Sequence, residues 1–276
     1  MKYFDAHAHY LAKRFNKDRH QLLLDMHKDG VEYIVNSTSG DELDRGLQLA
    51  QKYDFVYLSI LPDDYYNENA DPDTDGDRIN ELFERSVTRI IRLREANKKI
   101  VGWGEFGIDF RRAEQTADEI KKQVFWFKKD LEAARQIKLP VVIHSGNADQ
   151  LVFDLLKDAD MPDYGHGRGM IHCYLGSPSM ALEYAAMGYL ISVTGVVTHR
   201  SARGRNLVEV VRKLPLEHMV IETDCPYLTP EPFRNERNDS GFLRLVVEEI
   251  AKIKGAAPEE VAAVTTANAK ALFGIK

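Results

Sequence analysis

Cysteine is scarce. The chain carries two, Cys173 and Cys225, in 276 residues, which excludes a disulfide framework and points to a reducing compartment. Long apolar runs are missing as well: none approaches the roughly 20 residues that cross a bilayer. The opening segment, MKYFDAHAHY, has neither the basic flank nor the apolar stretch of a secretory leader. These absences lead us to expect a cytoplasmic protein with no membrane partner, and nothing in the sequence calls for an obligate protein partner. Positive charge is in deficit too, the formal net charge being -6. Such a chain lacks the basic field of a protein that coats nucleic acid non-specifically, so an anionic substrate must be drawn by local charge. Internal repeats and low-complexity linkers are also absent.

What is present is a regular alternation. Short β-branched or apolar runs at Tyr3–His9, Glu32–Asn36, Phe55–Ile60, Ile100–Glu105, Pro140–His144, Met170–His172, Leu190–Thr194 and Met219–Asp224 are separated by amphipathic segments such as 77–97, 115–137 and 202–213. Strand followed by helix, eight times over, predicts parallel strands under a helical coat and favours closure into a (β/α)8 barrel, a TIM barrel of the α/β class, over an open sheet. Residues 1–276 read as one domain. Asp41 stands where a cap would open a helix over 42–53, Pro178 suits the first turn of a helix over 178–187, and Ala257-Pro258-Glu259-Glu260 opens a last helix reaching about residue 272. The acidic, turn-rich stretch 62–77 interrupts the pattern as a long loop. Its Asp71-Pro-Asp73-Thr-Asp75-Gly76 resembles the start of a calcium loop, but Leu82 occupies the place of the bidentate glutamate. A solvated acidic loop is the simpler reading.

His7 and His9 lie two apart on the first strand, so both side chains project to one face and can converge on one ion. Alone, such a pair is equally a pair of buried, hydrogen-bonded histidines. Position decides the matter, because Glu105, His144, His172 and Asp224 each fall at the C-terminal end of a predicted strand, where barrels of this kind build their active sites. Six imidazole or carboxylate groups at one mouth would be costly to bury unless paired or ligated. A mixed imidazole and carboxylate set suits zinc, manganese or iron better than calcium, with magnesium where oxygen predominates. A carboxylate bridges two cations and an imidazole does not, which makes Glu105 and Asp224 the candidates for a shared or water-holding position. Glu222, two before Asp224, either orients a ligand or forms a buried salt bridge, and Asp5 has the same reading. Both thiols are expected to face outward under the helices, as packing groups. His20, His27, His166 and His218 read as surface residues, whereas His199 sits on the loop after the seventh strand, at the working face.

The segments FDAHAH, GWGEFGIDF, PVVIHS, IHCYLGS, SVTGVVTH and VIETDCPYLTP, with the closing PEEVAAVTTANAKALFG, resemble in order and spacing the TatD family of metal-dependent deoxyribonucleases, within the amidohydrolase superfamily. The resemblance runs almost end to end. It implies two divalent metal ions (magnesium, manganese or zinc), one held by His7, His9, Glu105 and Asp224 and the other by Glu105, His144 and His172. Glu105 would bridge them, and Asp224 would position or deprotonate the attacking water. Two departures fall around the substrate. Ser59-Ile-Leu-Pro62-Asp63-Asp64 stands where the family carries a GxHPH-like motif, and Gly146 stands where it often has arginine.

Arginines gather on the loops at the predicted mouth: Arg111 and Arg112 after the fourth strand, Arg200, Arg203 and Arg205 after the seventh, Arg234 and Arg237 after the eighth. They form either a focused phosphate site or ordinary solvated loop charges. Tyr227 and Phe233 either stack on a base or close the barrel mouth. The expectation is a metal-dependent phosphodiesterase acting on DNA. Its rivals are hydrolysis of another small ester, amide or lactone on the same scaffold, and a noncatalytic metal-binding barrel.

Overall fold

In the computed structural model, which describes residues 1–62, 74–111, 115–165 and 167–276, eight strands pair in parallel, each with the next in sequence. They are β1 (Tyr3–Ala8), β2 (Val31–Ser39), β3 (Val56–Leu61), β4 (Ile100–Asp109), β5 (Val141–Gly146), β6 (Gly169–Ile171), β7 (Tyr189–Val193) and β8 (Met219–Ile221). The intervening helices are α1 (Arg19–Lys28), α2 (Leu43–Lys52), α3 (Gly76–Ala96), α4 (Ala117–Ile137), α5 (Asp149–Ala159), α6 (Pro178–Ala186), α7 (Ala202–Lys213) and α8 (Leu243–Lys254), followed by α9 (Pro258–Phe273). The predicted (β/α)8 barrel is therefore the observed fold. It is nearly closed rather than fully laddered. β1 and β8 share no assigned strand pairing, and the seam is joined beyond β8, where Asp224 N donates to His7 O (3.0 Å) and His9 N donates to Cys225 O (2.9 Å).

Apolar periodicity explains the layers. Phe4, Ala6, Val35, Val101, Val142, Met170 and Val220 from six strands cluster with Ala269, Leu272 and Phe273 of α9, so the last helix covers the amino-terminal end of the barrel. A larger cluster fills the space between strands and helices, including Leu58, Phe83, Trp103, Phe127, Leu156, Leu207 and Val247. Each such large apolar side chain contributes about 1.5–3 kcal/mol when fully buried. Local signals fix the helix starts. Thr116 and Glu119 form a reciprocal capping box at α4, and Ser177 caps α6 with Pro178 in its first turn. Asp41 is not a cap: it lies inside a 3-10 turn, Gly40–Glu42, and α2 begins at Leu43 without a side-chain cap.

Strand limits differ from expectation where the site is built. β4 continues four residues past Glu105 and β5 two past His144, whereas β8 ends three residues before Asp224. Glu105 is thus interior to its strand. A register shift against β5 between Trp103 and Phe106 accommodates it. Gly104 there has φ +130°, and a Cβ would lie 2.4 Å from Val142 O, so the backbones approach too closely for any side chain. No helix among the described residues is long and apolar enough to cross a membrane. Asp71 and Asp73 of the stretch that resembles the start of a calcium loop, together with Arg112 and His166, lie outside the described residues, as does most of the 62–77 stretch.

Candidate metal centre

The six expected donors are brought together at the carboxyl end of the barrel. His7 Nε2 and His9 Nε2 are 3.1 Å apart. Glu105 lies between the histidines: its Oε1 is 3.6 Å from His9 Nε2, and its Oε2 is 3.7 Å from His7 Nε2 and 3.1 Å from His172 Nε2. Asp224 Oδ1 stands 3.2 Å from His9 Nε2, 3.9 Å from His172 Nε2 and 4.0 Å from His7 Nε2. Donor atoms of His7, His9 and Glu105, of His7, His172 and Asp224, and of Glu105, His144 and His172 form sets within 4.8 Å of one another. Glu105 belongs to two of these sets. Separations of 3–4 Å suit donors bonded to a common cation at about 2.0–2.2 Å, so the residues present fit divalent metal.

Backbone geometry sets these positions. Asp224 has φ +54° and Cys173 φ +45°, left-handed turns just beyond β8 and β6 that redirect the chain. Because of that turn the Cys173 thiol does not face outward under the helices, as expected. Its sulfur lies within 4.8 Å of donor atoms of His172 and Glu222, and burial first, then Asp224, Glu222 and Glu105, pushes its pKa up. Cys225 does pack as expected, fully buried with Tyr10, Phe15 and Leu23.

Glu222 is fully buried, and its Oε1 accepts from the Cys173 amide (2.6 Å) and approaches His172 Nδ1 at 2.9 Å. The latter is an ion-pair approach outside hydrogen-bond angles. Asp5 touches no metal-facing donor atom. Its carboxylate accepts from Thr223 N (3.0 Å), Thr223 Oγ1 (2.6 Å), Ser240 Oγ (2.6 Å) and, more weakly, the His7 amide (3.3 Å). A register shift of β1 against β2 between Asp5 and Ala8 breaks the alternation that would have aligned it with His7.

Electrostatics divide the imidazoles. Burial and the neighbouring histidines hold His7 well below its ordinary pKa, and burial and His172 lower His144. Burial also opposes protonation of His9 and His172, but carboxylates outweigh it: Asp224 and Glu105 raise His9, and Glu222, Glu105 and Asp224 raise His172. Asp224 would be raised by burial, yet His9 and His172 carry it below its usual value.

One residue that the sequence does not single out joins the site. Asp109 Oδ2 lies 3.3 Å from His144 Nε2 and is paired with Arg111. It follows Glu105 by four on a continuing strand, and a strand running past Glu105 would have shown that parity. The remaining arginines are less converged. Arg200, Arg203 and Arg234 are exposed, Arg234 with a loose 3.9 Å pairing to Glu231. Arg205 donates to Arg200 O, while Arg237 pairs with Asp18 and lies over Phe15, so these two serve the structure. Tyr227 is 55% exposed, whereas the Phe233 ring packs against Phe242. His199 is buried, and its Nε2 lies 2.9 Å from Thr229 O, tying the post-β7 loop to the post-β8 loop. His20 and His27 are exposed and His218 half-buried.

A parallel barrel with imidazoles and carboxylates gathered at the carboxyl ends of its strands defines a metal-dependent hydrolase. A family model described as TatD related DNase matches residues 4–274, and the chain belongs to that family. It is 33% identical over 273 residues to the uncharacterized metal-dependent hydrolase YabD of Bacillus subtilis, covering 99% of each chain. A Methanocaldococcus jannaschii protein, also named as an uncharacterized metal-dependent hydrolase, is 32% identical over 95% of this chain and 92% of its own. Among solved structures, a TatD homologue from Escherichia coli matches with a TM-score of 0.83 at 25% identity, over 99% of this chain and 98% of the other.

Proposed function

We propose that this hydrolase cleaves phosphodiester bonds of DNA, using two divalent cations held by His7, His9, Glu105, His144, His172 and Asp224. The observation that carries the reading is Glu105, whose Oε1 lies 3.6 Å from His9 Nε2 while its Oε2 lies 3.1 Å from His172 Nε2. That is the disposition of a carboxylate shared by two cations.

His7, His9 and Asp224 would hold one cation, His144 and His172 the other, with Glu105 common to both. Such a pair supplies Lewis acidity toward the phosphoryl oxygens and lowers the pKa of water. Asp224 acts as the proton acceptor for the attacking water: its pKa lies below the ordinary range despite burial, so it is ionised at neutral pH. Glu222, buried behind His172, fixes that ring with Nε2 directed at Glu105. Arg111, Arg200, Arg203 and Arg234 supply positive charge for the phosphates of the strand, and exposed Tyr227 offers a face on which a base can stack.

Protein stripped of metal and reloaded with manganese, magnesium or zinc should shorten a labelled single-stranded oligonucleotide. An oligonucleotide left intact with every metal removes the nuclease reading and turns the search to small esters, amides and lactones.

A further inference from the structure

Beyond Glu105, β4 runs on to Asp109, whose carboxylate organises the side of the centre occupied by His144. Asp109 Oδ1 accepts from the Arg111 amide (2.8 Å) and from Nε (3.0 Å), and Oδ2 accepts from Nε (3.0 Å) and Nη2 (2.5 Å). This clamp sets the guanidinium beside His144, with Nη2 3.0 Å from Nε2. The Arg111 side chain is nevertheless 45% exposed, so it is anchored along one edge and open to solvent elsewhere.

The seat depends on residue 146 having no side chain. A Cβ built on Gly146 would lie 2.3 Å from Asp109 Oδ1, 2.6 Å from its Cγ and 2.9 Å from Arg111 Nε. The backbone has no room to yield, because Asp109 is in register with Gly146 across the β4–β5 ladder and Phe110 N donates to Gly146 O at 2.7 Å. A side chain at 146 and the clamped pair cannot coexist in this geometry.

We propose that Gly146, Asp109 and Arg111 form one anion-selecting device: glycine leaves the space, Asp109 seats the guanidinium, and Arg111 grips a phosphoryl oxygen of the substrate on the His144 side of the centre. The device rests on the phosphodiesterase reading above and adds to it the group that distinguishes a phosphate from an uncharged ester or amide. A guanidinium already fixed along one edge loses little freedom when its remaining donors meet an oxyanion.

The test is calorimetric titration of the manganese-loaded protein with inorganic phosphate, at matched metal content, for wild type, Arg111→Met, Asp109→Asn, Gly146→Ala and the Arg111→Met/Gly146→Ala double variant. Arg111→Met should weaken phosphate binding about tenfold, as expected for a charge-assisted contact. Asp109→Asn should weaken it although the arginine is still present, and Gly146→Ala should do so by displacing the pair. The double variant should bind no more weakly than Arg111→Met alone. Wild type that binds no phosphate, wild-type affinity in Arg111→Met or in Asp109→Asn, or multiplying losses in the double variant would each overturn the proposal. Failure of the nuclease reading is distinguishable, since it appears as an uncut oligonucleotide in a protein that still binds phosphate through Arg111.

Discussion

Asp5 is fully buried two residues before His7, and it fastens the loop after β8 rather than a cation. Burial raises its pKa from 3.8 to about 7, against the lowering effect of the bonds from Ser240 and Thr223. A carboxyl raised on folding keeps its proton in the folded state where the unfolded chain has already released it. Its contribution to stability is therefore greatest below about pH 4 and declines until about pH 7. Asp5→Asn has no such titration. Denaturation of the metal-free proteins across this range should show wild type losing stability relative to the variant as pH rises, by up to roughly 4 kcal/mol. A stability difference independent of pH would show that Asp5 does not titrate in this window. Among the donors themselves, Glu105→Gln keeps size and loses the charge shared between two sides of the centre. It should leave the fold intact and lower the hydrolytic rate at least about a hundredfold, read as kcat on any substrate found.

At the scale of elements, the barrel is closed at the ligands themselves. The bonds Asp224 N to His7 O and His9 N to Cys225 O replace the missing β1–β8 ladder, and Asn238 Nδ2 braces the same loop through Thr223 O (2.9 Å) and Tyr227 O (2.5 Å). Asn238→Ala leaves both carbonyls without this donor. It should cost about 1–3 kcal/mol in denaturant unfolding, with amide exchange accelerating first at Asp224 and Tyr227. Exchange that stays unchanged there while the whole protein is destabilised would contradict a brace specific to the seam. The eight strands were legible because parallel strands covered on both faces read as short apolar runs, and His7, His9, His144 and His172 stood at or near their ends. Asp109 was not legible, since nothing local marked that β4 resumes its ladder, with Phe106 opposite Ile143, after the shift at Gly104 and Glu105. The orientation of Cys173 and the partners of Asp5 were hidden for a related reason. Strand alternation fails across a left-handed turn or a register shift, and both depend on tertiary closure rather than on local sequence.

For the molecule as a whole, a net charge of -6 means that an anionic strand must be drawn by local positive charge, and exposed Arg234 is one candidate source. Arg234→Ala should weaken oligonucleotide binding and lower the slope of log K against log salt by about one unit or less. An unchanged slope would remove Arg234 from the phosphate path. Metal uptake is coupled to protons in the same way. Burial lowers the pKa of His172, but Glu222, Glu105 and Asp224 outweigh burial and raise it, and a protonated Nε2 must lose its proton to become a ligand. Metal affinity should therefore rise with pH, and calorimetry in buffers of different ionisation enthalpy should register proton release on binding. In the proposed reaction the six donors hold the cations that activate water, and Asp224 takes its proton. Single-turnover cleavage of a labelled single-stranded oligonucleotide, wild type against Asp224→Asn at equal bound metal, tests it most directly. Wild type should give shortened products, and the variant should cut at a rate at least about a hundredfold lower; equal rates in the two proteins would rule out Asp224 as the proton acceptor.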